Sequence, residues 1–209
     1  MCIRDSANPN YFLFAGAPDC SSPCISFDTG FAWNHGDVNP DINTTWLGMV
    51  GPGVRHLGVD STLWTDHTDI RPTIMLLLGL KDDYDSDGRA LFEVLENWAV
   101  PQSLLDHRAT LSALANVYKQ INACVGELGL ATLRISTKAL ESNSSGDSTY
   151  NNLETMLSNI TTVRNNLASQ MSDILEDATF DNQSINVSQA NQLIQQANNL
   201  LNQAEAAAA

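Results

Sequence analysis

A histidine in a polar loop is the first residue of this chain whose type could do metal chemistry. His35 follows Asn34 and precedes Asp37, in a stretch that leads into an apolar run at residues 44–50. A neutral imidazole is a common zinc ligand, and a loop just ahead of a rigid element can hold such a ligand in place. From spacing alone, however, a loop histidine that hydrogen-bonds to a backbone carbonyl is the simpler interpretation of His35.

Two cysteines precede this histidine in the same loop. Cys20 and Cys24 are separated by three residues, in the sequence CSSPC. Such a pair is compatible with a disulfide, with two reduced thiols, or with half of a metal site. A disulfide would require the two Cα atoms to lie within about 7 Å of each other.

Another candidate cluster, Asp66-His67-Thr68-Asp69, has the residue types of a metal site but also those of a helix start. Asp and Thr oxygens cap the first backbone N–H groups of a helix, and the apolar residues that follow continue up to Gly79, a common helix terminator. We therefore predict a short buried helix here and no metal at His67. No role is assigned to His56 or His107.

Two apolar runs in the first half of the chain predict buried strands. They cover residues 11–16 and residues 44–50, and the second is closed by Gly51-Pro52-Gly53. The intervening residues 17–42 are rich in Pro, Gly, Ser, Asp and Asn, which is typical of a loop. Loops of this kind often carry functional residues.

Beyond Pro101 the chain is predicted to be helical. Apolar residues recur there with seven-residue spacing, which predicts three or four antiparallel helices with buried apolar seams. Residues 142–148 and 179–186 are predicted to connect the helices, and Ser188 is predicted to cap the last one. Cys124 is predicted to be a small buried residue. We expect the chain to fray after Leu201. The seams are formed by Leu104, Leu111, Leu114, Tyr118, Ile121, Val125 and Leu128; by Leu153, Ile160, Leu167 and Ile174; and by Ala190, Leu193, Ala197, Leu200 and Ala204.

Three motifs in the first hundred residues resemble those of the alkaline phosphatase superfamily. They are the segment 31–37 with its His35-Gly36 step, the strand that ends at Gly51-Pro52, and the helix that ends at Leu78-Gly79-Leu80. Their order is most similar to that in the nucleotide pyrophosphatase/phosphodiesterase branch. The resemblance implies an α/β fold: residues 7–100 would be the C-terminal part of an α/β/α hydrolase domain, and residues 101–209 a helical bundle or coiled-coil extension.

The resemblance also implies a chemistry. Members of this superfamily bind two metal ions, usually Zn²⁺, while a Thr or Ser alkoxide attacks a phosphoryl or sulfuryl group in line. By position, His35 would be the last metal-binding histidine, and Asn34 or Asp37 would orient it. The nucleophile and the remaining ligands would lie upstream of residue 7, so we expect no catalytic residue within this chain.

Charge and compartment follow from composition and from the resemblance. The net charge is -14, with 10 basic and 24 acidic residues, which argues against a nucleic-acid surface. No apolar run is long enough to span a bilayer. The resemblance favours an extracytoplasmic location and a disulfide between Cys20 and Cys24.

Residues 1–6 (MCIRDS) resemble a translated sequencing adapter, and we expect them to be non-native.

Several functions agree with these patterns. The first is a phosphodiesterase or nucleotide pyrophosphatase whose substrate is a phosphoric ester. A sulfatase or a phosphonate-ester hydrolase on the same scaffold is the alternative within enzymes. A different class of function would make residues 101–209 a helical interaction module, with self-association through its seams. These alternatives differ in whether the helices pack onto the first hundred residues or lie apart from them.

Overall fold

The computed structural model describes residues 40–209, and these residues form an all-α structure. No sheet is present among them, and the β pairing found there is an isolated antiparallel bridge between Val54 and Leu95. The α/β fold class is therefore wrong for this part of the chain. The helices are α1 (Pro40–Asn43), α2 (Ile70–Leu78), α3 (Gln102–Asp106), α4 (Arg108–Asn122), α5 (Glu127–Glu141), α6 (Ser148–Phe180) and α7 (Val187–Ala208), and 3-10 turns cover His67–Asp69, Phe92–Val94, Asn97–Ala99 and Ser145–Asp147.

The predicted strand at residues 44–50 has no regular secondary structure. Trp46 and Val50 are 88% and 95% exposed, so this run is not buried. A strand depends on a neighbouring strand for its backbone hydrogen bonds, and β propensity alone does not supply one. Within residues 40–209 no segment pairs with this run. The other predicted strand, residues 11–16, lies outside the described residues.

The predicted helix after Asp66 is present, and both of its ends are confirmed, but it is not buried as predicted: Ile74 and Leu78 are 47% and 64% exposed. Asp66 caps the preceding 3-10 turn: its carboxylate accepts from the Thr68 N–H at 2.9 Å, and the Asp69 carboxylate accepts in return from the Asp66 N–H at 3.0 Å. Helix α2 then ends at Gly79, whose φ of 64° is the left-handed conformation that glycine adopts without steric cost. The Asp66-His67-Thr68-Asp69 motif is thus a helix start.

Helices α4 to α7 form a bundle in which α6 and α7 each pack against both α4 and α5. Helix α6 has 33 residues and α4 and α5 have 15 each, so α6 is as long as the other two placed end to end. Ser103 donates to the Ala178 carbonyl near one end of α6, and Arg164 donates to Asn122 farther along it, at 3.0 Å. The chain through α3, α4 and α5 therefore runs antiparallel to α6.

The last helix completes the bundle by running parallel to α5. Arg134 forms an ion pair with Glu205 at 3.4 Å, and Lys138, one turn later, donates to the Ala207 carbonyl at 3.5 Å. The architecture is an up-down-up helical bundle whose first layer is divided into α3, α4 and α5. This confirms the predicted helical bundle in the second half of the chain.

The predicted seams form the core of this bundle. Ile160 and Leu167 are buried, and Leu153 packs against the same core from a half-buried position. The first seam is interrupted, however, because α4 ends at Asn122 and α5 begins at Glu127. At the turn between them, a Cβ on Gly126 would lie 2.7 Å from the Gln120 carbonyl oxygen, so the chain passes too close for a larger residue.

Three smaller predictions about the helical half are wrong. Helix α7 continues beyond Leu201 as far as Ala208, because Ala204 and Ala208 are buried against the bundle. Its cap is Asn186, whose side chain accepts from the Gln189 N–H at 3.1 Å, and not Ser188. Cys124 is exposed in the turn between α4 and α5.

Over residues 40–209, none of the helices combines the length and the apolar character needed to cross a bilayer.

Candidate functional site

The residues predicted to carry metal chemistry all lie outside the described residues. These are the candidate ligand His35, the orienting residues Asn34 and Asp37, and the cysteine pair Cys20 and Cys24. Their proposed roles, and the predicted disulfide, remain predictions from sequence.

Within residues 40–209, no three His, Cys, Asp or Glu side chains are grouped so that they could hold a metal ion. His67 is exposed on its 3-10 turn, and His56 is exposed as well. The polar chemistry in this part of the molecule lies instead at the contact between the bundle and the residues that precede it.

A buried ion cluster forms this contact. Lys119 of α4 is 1% exposed, and its ammonium lies 3.0 Å from a carboxylate oxygen of Asp66 and 3.0 Å from one of Asp69. The same nitrogen donates to the Thr68 hydroxyl at 2.9 Å. The three N–H groups of the ammonium therefore match three acceptors, all from the 66–69 turn.

The two carboxylates of the cluster have different environments. Asp69 is fully buried and accepts from the backbone N–H groups of Arg89 at 2.9 Å and Asp66 at 3.0 Å. Asp66 is partly buried. Burial by itself raises its pKa, but the hydrogen bonds from Thr68 and the charge of Lys119 outweigh this effect, so the pKa of Asp66 lies below its usual value.

The loop at residues 86–91 packs against the same turn at very close range. A Cβ on Gly88 would lie 2.0 Å from the Thr68 carbonyl oxygen, so only glycine fits there. The Thr73 hydroxyl donates to the Asp69 carbonyl at 2.6 Å and accepts from the Leu91 N–H at 2.9 Å. Residues 66–91 thus form one polar unit, which we call the docked segment.

A second set of hydrogen bonds connects the docked segment to two helices of the bundle. The Tyr118 hydroxyl donates to the Asp87 carbonyl at 3.1 Å and accepts from the Asn122 amide at 2.9 Å, and Asn122 accepts in turn from Arg164 of α6. Burial raises the pKa of Tyr118 to about 12, so its hydroxyl remains a donor even at a pH that would ionise a free phenol.

Further contacts extend the interface on either side of the docked segment. Lys81 pairs with Asp181 at 2.6 Å on an exposed surface, where such pairs stabilise little. Arg108 of α4 donates to the Phe92 carbonyl at 2.7 Å. The helices therefore pack onto the preceding residues and do not lie apart from them.

A cavity of about 40 Å³ lies between α2, residues 81–90 and α6. Its walls include Arg71, Lys81 and Arg89, with Glu176 on the α6 side. Arg89 is 3% exposed, and its Nη1 donates to the Ala90 carbonyl at 3.1 Å and to Glu93. Its Nε and Nη2 are buried without a hydrogen-bond partner.

Neither Lys119 nor Arg89 is singled out by the sequence. A lysine between Tyr118 and Gln120 has the local pattern of a solvated helix position, and an arginine after Asp87-Gly88 has that of an exposed turn. Only the structure marks them: residues 117–121 mix apolar and polar types, and all five are buried. A helix buried on every side must contact a second structure beyond its own bundle.

No family model matches the chain, and the comparisons found no matching curated protein or solved structure. The resemblance to the alkaline phosphatase superfamily is therefore supported by sequence motifs alone and stays a prediction.

Proposed function

We propose that this chain is the C-terminal part of a metal-dependent phosphoric-ester hydrolase of the phosphodiesterase or nucleotide pyrophosphatase type. In this proposal residues 101–209 are a non-catalytic helical brace for the residues that precede them. The enzymatic part of the proposal rests on the ordered motifs at residues 31–37, Gly51-Pro52-Gly53 and Leu78-Gly79-Leu80. The brace rests on how the bundle contacts the docked segment.

The main support for a bracing role of the bundle is the burial of Lys119 together with Asp66 and Asp69. Forming such a cluster requires the removal of water from three charged groups, so its net contribution to stability is small, whereas breaking it strands a buried charge. A free interaction module has no need of this geometry. We infer that the bundle is a permanent part of the domain that contains residues 66–91.

The brace also contacts the backbone that pairs with residues 53–55. Arg108 donates to the carbonyl of Phe92, and the neighbouring backbone pairs with the segment after the loop: Arg55 N–H donates to Val94 at 2.9 Å, and Glu96 N–H donates to Gly53 at 2.8 Å. In the proposed enzyme, this pairing would hold residues 53–55, which follow His35 by 18 to 20 positions in the sequence.

In the proposed enzyme, His35 would be one zinc ligand, with Asn34 or Asp37 holding the imidazole in its ligating orientation. The two Zn²⁺ ions would bind the phosphoryl oxygens and activate the nucleophile when present. The nucleophile and the other ligands would come from sequence that precedes this chain. The contribution of the described residues is structural: they position the segment that follows the ligand loop.

The test compares the purified 209-residue chain with the longer protein that includes its upstream sequence. We expect the longer protein to hydrolyse a nitrophenyl phosphodiester with two bound zinc ions, and this chain alone to show no turnover. In the longer protein, His35→Ala should lower both zinc content and activity. His56→Ala and His67→Ala are matched controls, because both side chains are exposed and neither residue belongs to the motifs of the resemblance.

Two results would contradict the proposal. Turnover by this chain alone, abolished by His35→Ala, would place a complete site within it. Unchanged zinc stoichiometry in the His35→Ala longer protein would remove His35 from the site. A panel of nitrophenyl sulfate and phosphonate esters separates the alternative activities on the same scaffold, since a preference for either would exclude a phosphodiesterase.

A further inference from the structure

A surface groove runs between α6 and α7 on one side of the bundle. Its volume is about 420 Å³, and the described residues that line it belong to these two helices alone. Met156 and Val163 lie on its α6 side and are 39% and 48% exposed. They are seven residues apart, so they project from the same side of the helix. Most residues of the predicted seams are buried inside the bundle, and this groove is therefore a separate face.

No charged side chain lines this groove, although the chain has 10 basic and 24 acidic residues. Between residues 148 and 172, the charged residues of α6 are Glu154 and Arg164. Arg164 hydrogen-bonds to α4, and Glu154 lies about 200° round the helix axis from Asn152 of the groove. In α7, Glu205 forms its ion pair with α5. The groove is thus an uncharged face on an acidic protein.

This chemistry favours a second copy of the chain as the occupant of the groove. Two copies that each carry a net charge of -14 repel one another over most of their surfaces, so close approach requires a face without charge. An asparagine or glutamine amide has both donors and an acceptor, so a row of amides is complementary to a copy of itself. A strongly basic or acidic partner would find no opposite charge here, and charged residues are depleted at the centres of protein interfaces.

We propose that α6 packs against α6 of a second copy in antiparallel orientation, with the two-fold axis beside Asn159. Met156 precedes Asn159 by three positions and Val163 follows it by four, so Met156 of one copy meets Val163 of the other. Asn152 and Asn166 lie seven positions to either side and meet in the same way. The inference does not depend on the hydrolase proposal, because none of these residues belongs to the predicted metal site.

The size of this face sets the strength of the association. Residues 150–170 of α6 span about 30 Å, and α6 with the adjacent side of α7 is about 20 Å wide, so each copy would bury roughly 600 Å². A total of roughly 1,200 Å² is the lower limit for specific, stable interfaces, so we expect a weak dimer with a dissociation constant on the order of 100 µM. Because salt screens the repulsion between two acidic copies, the dimer should become stronger as the salt concentration rises.

Sedimentation velocity of the whole chain under reducing conditions tests the association, at concentrations from tenfold below to fivefold above that value. We expect a reversible monomer–dimer equilibrium that shifts toward dimer when sodium chloride is raised tenfold. Val163→Glu would place a carboxylate without a counter-ion at the centre of the interface, and should weaken association at least about tenfold. Leu140→Glu adds the same charge at a 61% exposed position of α5, and should leave association unchanged.

Disulfide trapping tests the orientation of the two copies, and it does not depend on the folding of Val163→Glu. In a chain whose four cysteines are replaced by serine, Asn159→Cys should form a covalent dimer on mild oxidation, because the two-fold axis brings the two side chains together. Ser158→Cys, at the neighbouring exposed position, should not. The proposal is overturned by a chain that stays monomeric over the whole range, by a dimer that persists in Val163→Glu or weakens with salt, or by equal trapping through Ser158→Cys.

Discussion

The helical bundle and the docked segment are held together by different physical means. The bundle core consists of apolar side chains on regular seams, among them Leu111, Leu114 and Met171, each fully buried. The docked segment has one helix of nine residues and depends on buried polar groups such as Asp69, Thr73 and Lys119. Apolar packing tolerates small changes of shape, whereas a buried polar network tolerates no missing partner. The two regions should therefore respond differently to substitution.

The largest effect is expected from Lys119→Met. This change leaves the fully buried Asp69 without its counter-ion and should cost about 3–5 kcal/mol of unfolding free energy. Urea unfolding followed by circular dichroism measures the loss, and hydrogen exchange should show that the amides of residues 66–91 lose protection first. Lys138→Ala, at an exposed position of α5, is the control. A loss below about 1 kcal/mol would mean that the cluster is solvated.

A substitution in the bundle core should cost somewhat less and act on different residues. Leu114→Ala removes a fully buried side chain from α4 and should destabilise by about 3 kcal/mol, within the usual range for buried leucines. Leu140→Ala, 61% exposed on α5, should change the unfolding free energy little. If hydrogen exchange after Leu114→Ala increases only in residues 66–91, the proposed difference between the two regions is incorrect.

Gly88→Ala tests the close approach within the docked segment. The new methyl would overlap the Thr68 carbonyl, and the backbone shift this requires should cost about 1–3 kcal/mol. In Gly79→Ala the new methyl group has no atom within 4 Å. Only the left-handed φ at this position is unfavourable for alanine, which should lower the unfolding free energy by about 1 kcal/mol. Thermal unfolding of both variants compares the two costs. Equal melting temperatures would indicate that the loop relaxes freely away from the turn.

The smallest effect is expected on the stability of the folded protein at acidic pH. The pKa of Asp66 is lower in the folded protein than in the unfolded chain, so its contribution to stability is fully present above the unfolded value, about 3.9, and is lost as the pH falls through the folded value. Urea midpoints measured between pH 6 and pH 3 should fall more steeply in the native chain than in Asp66→Asn. If the urea midpoints of the two proteins fall in parallel, Asp66 does not contribute to the loss of stability at low pH.

Short-range patterns account for what could be predicted. The capping residues at Asp66 and Asp69, the termination at Gly79 and the seams through Ile160, Leu167 and Leu200 all depend on residues within a few positions of one another along a helix. These features were predicted, and the structure confirms them. Helix capping and a period of about 3.6 residues are local properties, so one sequence is enough to reveal them.

Long-range contacts decided the rest. The β-prone run at residues 44–50 has no partner strand within the described residues, so its propensity produces no sheet. Lys119 is buried because a turn fifty residues earlier in the chain supplies its three acceptors, and Arg89 is buried beside Ala90 and Glu93, which accept hydrogen bonds from its Nη1. Strand pairing and the desolvation of charges depend on groups that are distant in sequence, and only the tertiary structure brings those groups together.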